Sequence, residues 1–167
     1  TKVEVTMDPA IVDIGSNDGT TLSAYPADGI TRVGIDPTAE KFRQYYPADV
    51  NVIPDFFSAR LVKERFGERK ARVVTSFSMF YDLERPMDFV REVASVLDTE
   101  GIWVFEQSYM PLMLDRNSYD TACHEHLEYY ALAHASRFVR PGAVRIESTA
   151  SNGLETVAFR NADDQSK

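Results

Sequence analysis

A single cysteine, Cys123, is present among 167 residues. That excludes an internal disulfide framework and suits a reducing cytoplasm. Long apolar runs are missing too. None approaches the roughly 20 residues a helix needs to cross a bilayer, and no secretory leader is recognisable, so the expected location is cytoplasmic. Positive charge is scarce: 18 Lys and Arg stand against 26 Asp and Glu, for a net charge of −8. Binding to nucleic acid through its phosphates needs a basic footprint, so no such partner is expected. Internal repeats and low-complexity segments are also absent. What remains, at 44% hydrophobic and 26% charged, is the composition of one compact domain, taken as residues 1–160, with a polar tail over 161–167 that is expected to fray.

The chain is organised around Ile11-Val12-Asp13-Ile14-Gly15-Ser16-Asn17-Asp18-Gly19-Thr20. A β-branched run ends in an acid, and two glycines four apart enclose small polar residues. That is how a buried parallel strand passes into a tight turn and a helix start. Glycine at 15 lets the chain bend and a ligand approach the backbone. Free N–H groups at the following helix start are expected to bind a polar or anionic ligand group. The pattern D-x-G-x-x-x-G differs from the G-x-G-x-x-G dinucleotide fingerprint, and many plain strand-turn-helix junctions share its two glycines.

Strands are expected over 10–14, 32–36, 50–53, 71–77 and 102–105, the last ending at Glu106-Gln107. Helices are expected over 20–25, 38–46, 59–66 and 87–97. Ser58 caps the third helix and Gly67 ends it, while Pro37 and Pro86 open the second and fourth. A loop over 108–121 leads to an acidic and aromatic cluster, then a helix over 131–139 stops at Pro141-Gly142. Strands over 144–148 and 154–160 flank Ser151-Asn152-Gly153, a hairpin signal. Residues 1–9 read as an irregular lead-in. The expected fold is α/β: a doubly wound, mostly parallel seven-stranded sheet with helices on both faces and an antiparallel C-terminal hairpin. Such sheets bind ligands at the carboxyl ends of their strands.

Asp36 closes the second strand, 21 residues after Gly15. A carboxylate there can accept the hydroxyls of an adenosine ribose, or it can simply face the next helix dipole. Asp55-Phe56 follows the third strand on the same edge and can meet an adenine amino group and cover its ring. A loop acid and a core aromatic would read the same way. Residues 119–130 hold two histidines, two glutamates and three tyrosines. A histidine beside a carboxylate is a natural general base. His124-Glu125-His126 is not H-E-x-x-H: on a helix its histidines lie about 200° apart, so no metal is expected. A polar network of structural histidines and tyrosines is the plain alternative. Cys123 is assigned no catalytic role, since a lone cysteine is usually a small buried residue.

Taken together, residues 12–20, Val33-Gly34-Ile35-Asp36-Pro37-Thr38, Ser76-Phe77-Ser78-Met79-Phe80-Tyr81-Asp82-Leu83-Glu84 and Cys123-His124-Glu125-His126-Leu127-Glu128-Tyr129-Tyr130 resemble the class I S-adenosylmethionine-dependent methyltransferases. More narrowly, they resemble the C-methyltransferases that act on nucleotide-linked 4-keto-deoxysugars in antibiotic biosynthesis. The resemblance implies that Gly15, Ser16, Asn17 and Gly19 line the methionine end of the cofactor. It implies that Asp36, with Pro37, meets the ribose, that Asp55 and Phe56 meet the adenine, and that the Ser76-Phe77 backbone lies on the sulfonium side. It makes His126 the base at the carbon beside the ketone, with Glu125 beside it, and puts Tyr81, Tyr119, His124 and Tyr129 around the substrate. Members also carry a cysteine-rich zinc-binding region and a long C-terminal domain. The expectation is therefore either the central catalytic part of a longer enzyme, with flanking domains absent from this chain as partners, or a trimmed variant of such an enzyme. Many members have tyrosine where Cys123 stands. The alternatives are a cofactor-binding scaffold without turnover and a nicotinamide-dependent enzyme, the latter disfavoured by the missing third glycine.

Overall fold

The structure, a computed structural model, describes residues 10–118, 122, 126–130, 144–151 and 154–160. Five strands run parallel: β1 (Ala10–Ile14), β2 (Thr31–Ile35), β3 (Asn51–Ile53), β4 (Ala71–Ser76) and β5 (Leu97–Phe105). Their spatial order is β3-β2-β1-β4-β5, so the chain winds outward from β1 in one direction and then the other. β1 is buried along its whole length, as a central strand covered on both faces must be. Two more strands, β6 (Val144–Ser151) and β7 (Leu154–Arg160), pair antiparallel, and β7 joins β5 at Trp103↔Phe159.

Side chains alternate across the sheet and so build two cores. Val12, Ile14, Val33, Ile35 and Val74 pack with Val62 and Phe66 of α2 (Ala59–Phe66) and Val93 and Val96 of α3 (Pro86–Val96). Ile11 packs with Leu22 of α1 (Thr20–Ser23), with Ala39 of a 3-10 helix (Ala39–Tyr45), and with Tyr46 and Val50. Ser58 caps α2 by accepting from the Leu61 N–H at 3.2 Å, and Glu92 of α3 accepts from the Ala59 N–H at 2.9 Å. Both bonds satisfy helix-end donors that would otherwise be left over.

Several boundaries differ from expectation. The loop expected over 108–121 contains a helix, α4 (Met110–Asp115), started by Pro111 and hidden from a sequence reading by its brevity. The helix expected over 38–46 is a 3-10 helix, and α1 stops at Ser23 rather than reaching Tyr25. α3 ends one residue early because β5 begins at Leu97, five residues before the expected start. A register shift between Ala71 and Val73 accommodates that extra length. The expected helix over 131–139, the turn residues 152–153, the lead-in 1–9 and the tail 161–167 lie outside the described residues. Among the described residues no helix is long and apolar enough to cross a membrane.

Candidate functional site

The carboxyl ends of the five parallel strands share one edge, and the reversal of winding falls between β1 and β4. The turn after β1 sits there. Gly15 and Gly19 have φ of 74° and 79°, in the left-handed region where a side chain is strained. A Cβ at Gly15 would touch the Met79 side chain at 3.4 Å, so the turn is braced from the β4 side. From the β2 side, Asp36 accepts from the Asn17 N–H at 3.0 Å through Oδ2. Its Oδ1 accepts from the N–H and the hydroxyl of Thr38, both at 2.6 Å. A carboxylate offers about four lone pairs. Three are occupied by these bonds, two on Oδ1 and one on Oδ2.

The amides of the turn are less available than expected. Gly15 N–H donates to Ile35 O at 2.9 Å, Gly19 N–H to Ser16 O at 2.8 Å and Thr20 N–H to Asp18 Oδ1 at 3.0 Å. The turn thus consumes these three N–H groups itself, and α1, which follows it, is a single turn.

Charge on this edge is negative. Asp13 is 2% exposed on β1 and accepts a hydrogen bond from the Thr75 hydroxyl. Burial pushes its carboxyl up to about 6, against the opposing Thr75 bond and with help from the nearby Asp36 charge. Asp36 is buried beside it, and Asp55 lies beyond, exposed in the turn after β3. The two turns adjoin, because Asp36 N–H donates to Ile53 O at 3.1 Å. Pro37 is exposed, and Phe56 is 75% exposed, its ring open to solvent. Ser76 is fully buried: its hydroxyl accepts from the Trp103 indole N–H at 3.0 Å and its carbonyl from Glu106 N–H at 3.3 Å. Phe77 follows it, half-buried at the strand end.

The histidine segment returns to the same edge. The Tyr81 carbonyl accepts from the N–H groups of Leu127 and Glu128, at 2.9 and 3.0 Å. The Tyr81 and His126 rings lie 4.1 Å apart between centroids, and Tyr129 is 6.4 Å from His126. Tyr130 stacks on Phe80 at 5.2 Å, and its carbonyl accepts from Met110 N–H at 2.9 Å. Burial, and then the charge of Glu128, push its phenol up to about 12. His126 Nδ1 is buried with no hydrogen-bond partner among the described residues, which costs free energy unless something supplies one. Contacts thus run from Gly15 through Met79 and its neighbours Phe80 and Tyr81 to His126. Glu125, His124, Tyr119 and Cys123 lie outside the described residues. No group of three His, Cys, Asp or Glu suited to a metal occurs among the described residues.

Tyr46, Thr38, Met79 and Thr75 were not singled out as site residues from the sequence. Gly34, in the middle of β2, was the available signal, since glycine inside a strand marks a close approach by something else.

A family model described as a methyltransferase domain matches residues 12–105. The C-methyltransferase NovU of Streptomyces niveus is 27% identical over 164 residues, or 97% of this chain, and the chain spans 36% of that relative's length. An O-methyltransferase family protein from Burkholderia thailandensis superposes with a TM-score of 0.70 at 15% identity, over 94% of this chain and 52% of that one. The plantazolicin methyltransferase BpumL, solved with a desmethyl plantazolicin analogue and S-adenosylhomocysteine, superposes at 0.64 with 12% identity, over 92% and 77%.

Proposed function

The chain belongs to the methyltransferase domain family, and we propose that it carries methyl transfer from S-adenosylmethionine to the carbon beside the ketone of a nucleotide-linked 4-keto-deoxysugar. The cofactor is S-adenosylmethionine. The carrying observation is the acidic strand-end edge around a glycine turn that uses several of its own amides. An anionic pyrophosphate would meet Asp36 and Asp55 with few donors to offset them. A sulfonium carrying an ammonium and a carboxylate has net positive charge and meets the same edge favourably. The lone pair left on Asp36 Oδ2 fits a ribose hydroxyl, and exposed Phe56 fits the face of an adenine. These residues fit the group.

When bound, S-adenosylmethionine supplies an electrophilic methyl carbon. The chain's own residues have to generate and orient the nucleophile. In this reading His126 takes the proton α to the ketone, leaving an enolate, and Glu125 supports the imidazole. The tilted ring contact with Tyr81 and the two N–H bonds to the Tyr81 carbonyl restrict where His126 can reach. Tyr81, Tyr129, Tyr119 and His124 border the sugar. C-methylation accords with the C-methyltransferase relative; the keto-sugar and its nucleotide follow from the sequence resemblance. Flanking domains complete the substrate enclosure.

Calorimetric titration with S-adenosylmethionine and its demethylated product tests the cofactor. Micromolar binding is expected, weakened about tenfold or more in Asp36→Asn, which loses a charge-assisted bond. No binding up to millimolar, or an indifferent Asp36→Asn, would sink the reading. Mass spectrometry of a nucleotide-linked 4-keto-deoxysugar incubated with protein and cofactor should show the gain of one methyl on carbon.

A further inference from the structure

Resting on the S-adenosylmethionine reading above, we propose that Tyr46 is a positioning residue of the cofactor site, setting cofactor affinity by holding the 15–19 turn from beneath. Tyr46 ends the 3-10 helix and is buried, whereas its neighbour Tyr45 is 62% exposed. Its hydroxyl donates to the Asn17 carbonyl at 2.7 Å. A phenol has one proton, so at the 2.8 Å contact with Ser16 the serine hydroxyl donates to the tyrosine oxygen. Ser16, Tyr46 and Asn17 thus form a directed relay, Ser16 to Tyr46 to the Asn17 carbonyl.

The consequence falls on Asn17. It has a φ of 46°, in the left-handed region that few residues other than glycine and asparagine adopt. Its peptide groups are held from both ends, the N–H by Asp36 at 3.0 Å and the C=O by Tyr46 at 2.7 Å. The residue that meets the ribose in the proposed function and the residue beneath the turn therefore clamp the same position. The ring fits there because two glycines leave room. A Cβ at Gly19 would come within 2.6 Å of the Tyr46 ring, and one at Gly34 within 2.9 Å. Two side-chain absences on separate elements, both facing one ring, together with a two-bond hydroxyl, describe a clamp rather than a space-filling aromatic.

The experiment compares wild type with Tyr46→Phe, Ser16→Ala, the double variant, and Tyr45→Phe as control. Readouts are S-adenosylhomocysteine affinity by calorimetry and amide hydrogen exchange at Asn17 and Gly19. Tyr46→Phe keeps the ring, so global folding should survive, while turn exchange accelerates and affinity falls about tenfold. Ser16→Ala should act in the same direction, and the double variant should lose less than the product of the two single losses, the mark of one shared network. Tyr45→Phe should change neither readout. Unchanged turn exchange in Tyr46→Phe overturns the proposal. So does faster exchange with unchanged affinity, which would make Tyr46 structural only. If wild type binds no cofactor while exchange responds as described, the functional reading falls and with it the cofactor role of Tyr46; the clamp on the turn stands.

Discussion

Asp13 sits on the central strand with the Thr75 hydroxyl donating to it and the charge of Asp36 nearby. Burial is the main cause of its raised pKa, about 6 against an ordinary 3.8. Between those values the folded state keeps a proton that the unfolded chain has released. Stability contributed by the protonated form is therefore complete below 3.8 and is lost as pH rises through about 6. A tenfold difference in proton affinity between folded and unfolded chain corresponds to about 1.4 kcal/mol, so at pH 8 the charged Asp13 costs on the order of 1–3 kcal/mol. Asp13→Asn keeps the shape and the acceptor for Thr75. It should be more stable than wild type in urea at pH 8 and match it near pH 4. A variant less stable at both pH values would show that the carboxyl is stabilising as it stands. The sequence displayed Asp13, Asp36 and Asp55 as strand-end acids, because a carboxylate after an apolar run is visible in one dimension. It did not display Tyr46, one of several aromatics in the stretch expected to be helical over 38–46. Its value comes from a hydroxyl meeting Ser16 and Asn17, about 30 residues away in sequence.

The elements were legible where a pattern of neighbours determines them. Helix α2 was placed at both ends by Ser58 and Gly67, since capping is local chemistry. Strand β5 was misplaced at its start, because Leu97 to Gly101 lack a strand pattern of their own. Leu97 becomes strand by pairing with Ala71, a tertiary cause. β2 shows the opposite relation, in which an element's composition is dictated by the site. Gly34 lies mid-strand, a position where glycine ordinarily weakens a sheet. A Cβ there would lie 2.8 Å from Ser16 Oγ, 2.9 Å from the Tyr46 ring and 3.0 Å from Leu22 Cδ1. None of these can withdraw cheaply, because Ser16 and Tyr46 are bonded to each other and Leu22 is fully buried. Gly34→Ala should therefore cost about 1–3 kcal/mol in urea unfolding despite the better strand propensity of alanine. Equal or greater stability would mean that the ring can shift freely, and that β2 does not constrain the turn.

At the scale of the whole molecule, the fold brings together two segments separated by more than a hundred residues: the turn at Gly15 and the histidine at 126. The connection passes through the loop after β4, where Met79 braces the turn and Tyr81 holds the histidine segment. Sequence showed both ends as unusual stretches and the doubly wound order put them on one edge. The resemblance marked the stretch that holds Met79 and Tyr81, but the contacts they make with the turn and the histidine segment were not readable, since both are tertiary. Removing a proton next to a ketone needs a base held within about 3 Å of the atom that carries it, and losing such a base commonly lowers the rate by ~10²–10⁴. In the proposed function His126 is that base; it is docked against Tyr81, with a buried Nδ1 that lacks a partner among the described residues. His126→Ala should abolish exchange of the substrate α-proton with deuterated solvent, and methylation with it. S-adenosylmethionine affinity should stay within about twofold, because the clamp at Asn17 is built from other side chains. His124→Ala should retain exchange. Proton NMR of a nucleotide-linked 4-keto-deoxysugar in deuterium oxide, followed with each variant, reads this directly. Exchange lost in His124→Ala and kept in His126→Ala would move the base two residues upstream, and exchange kept in both would place it outside this motif.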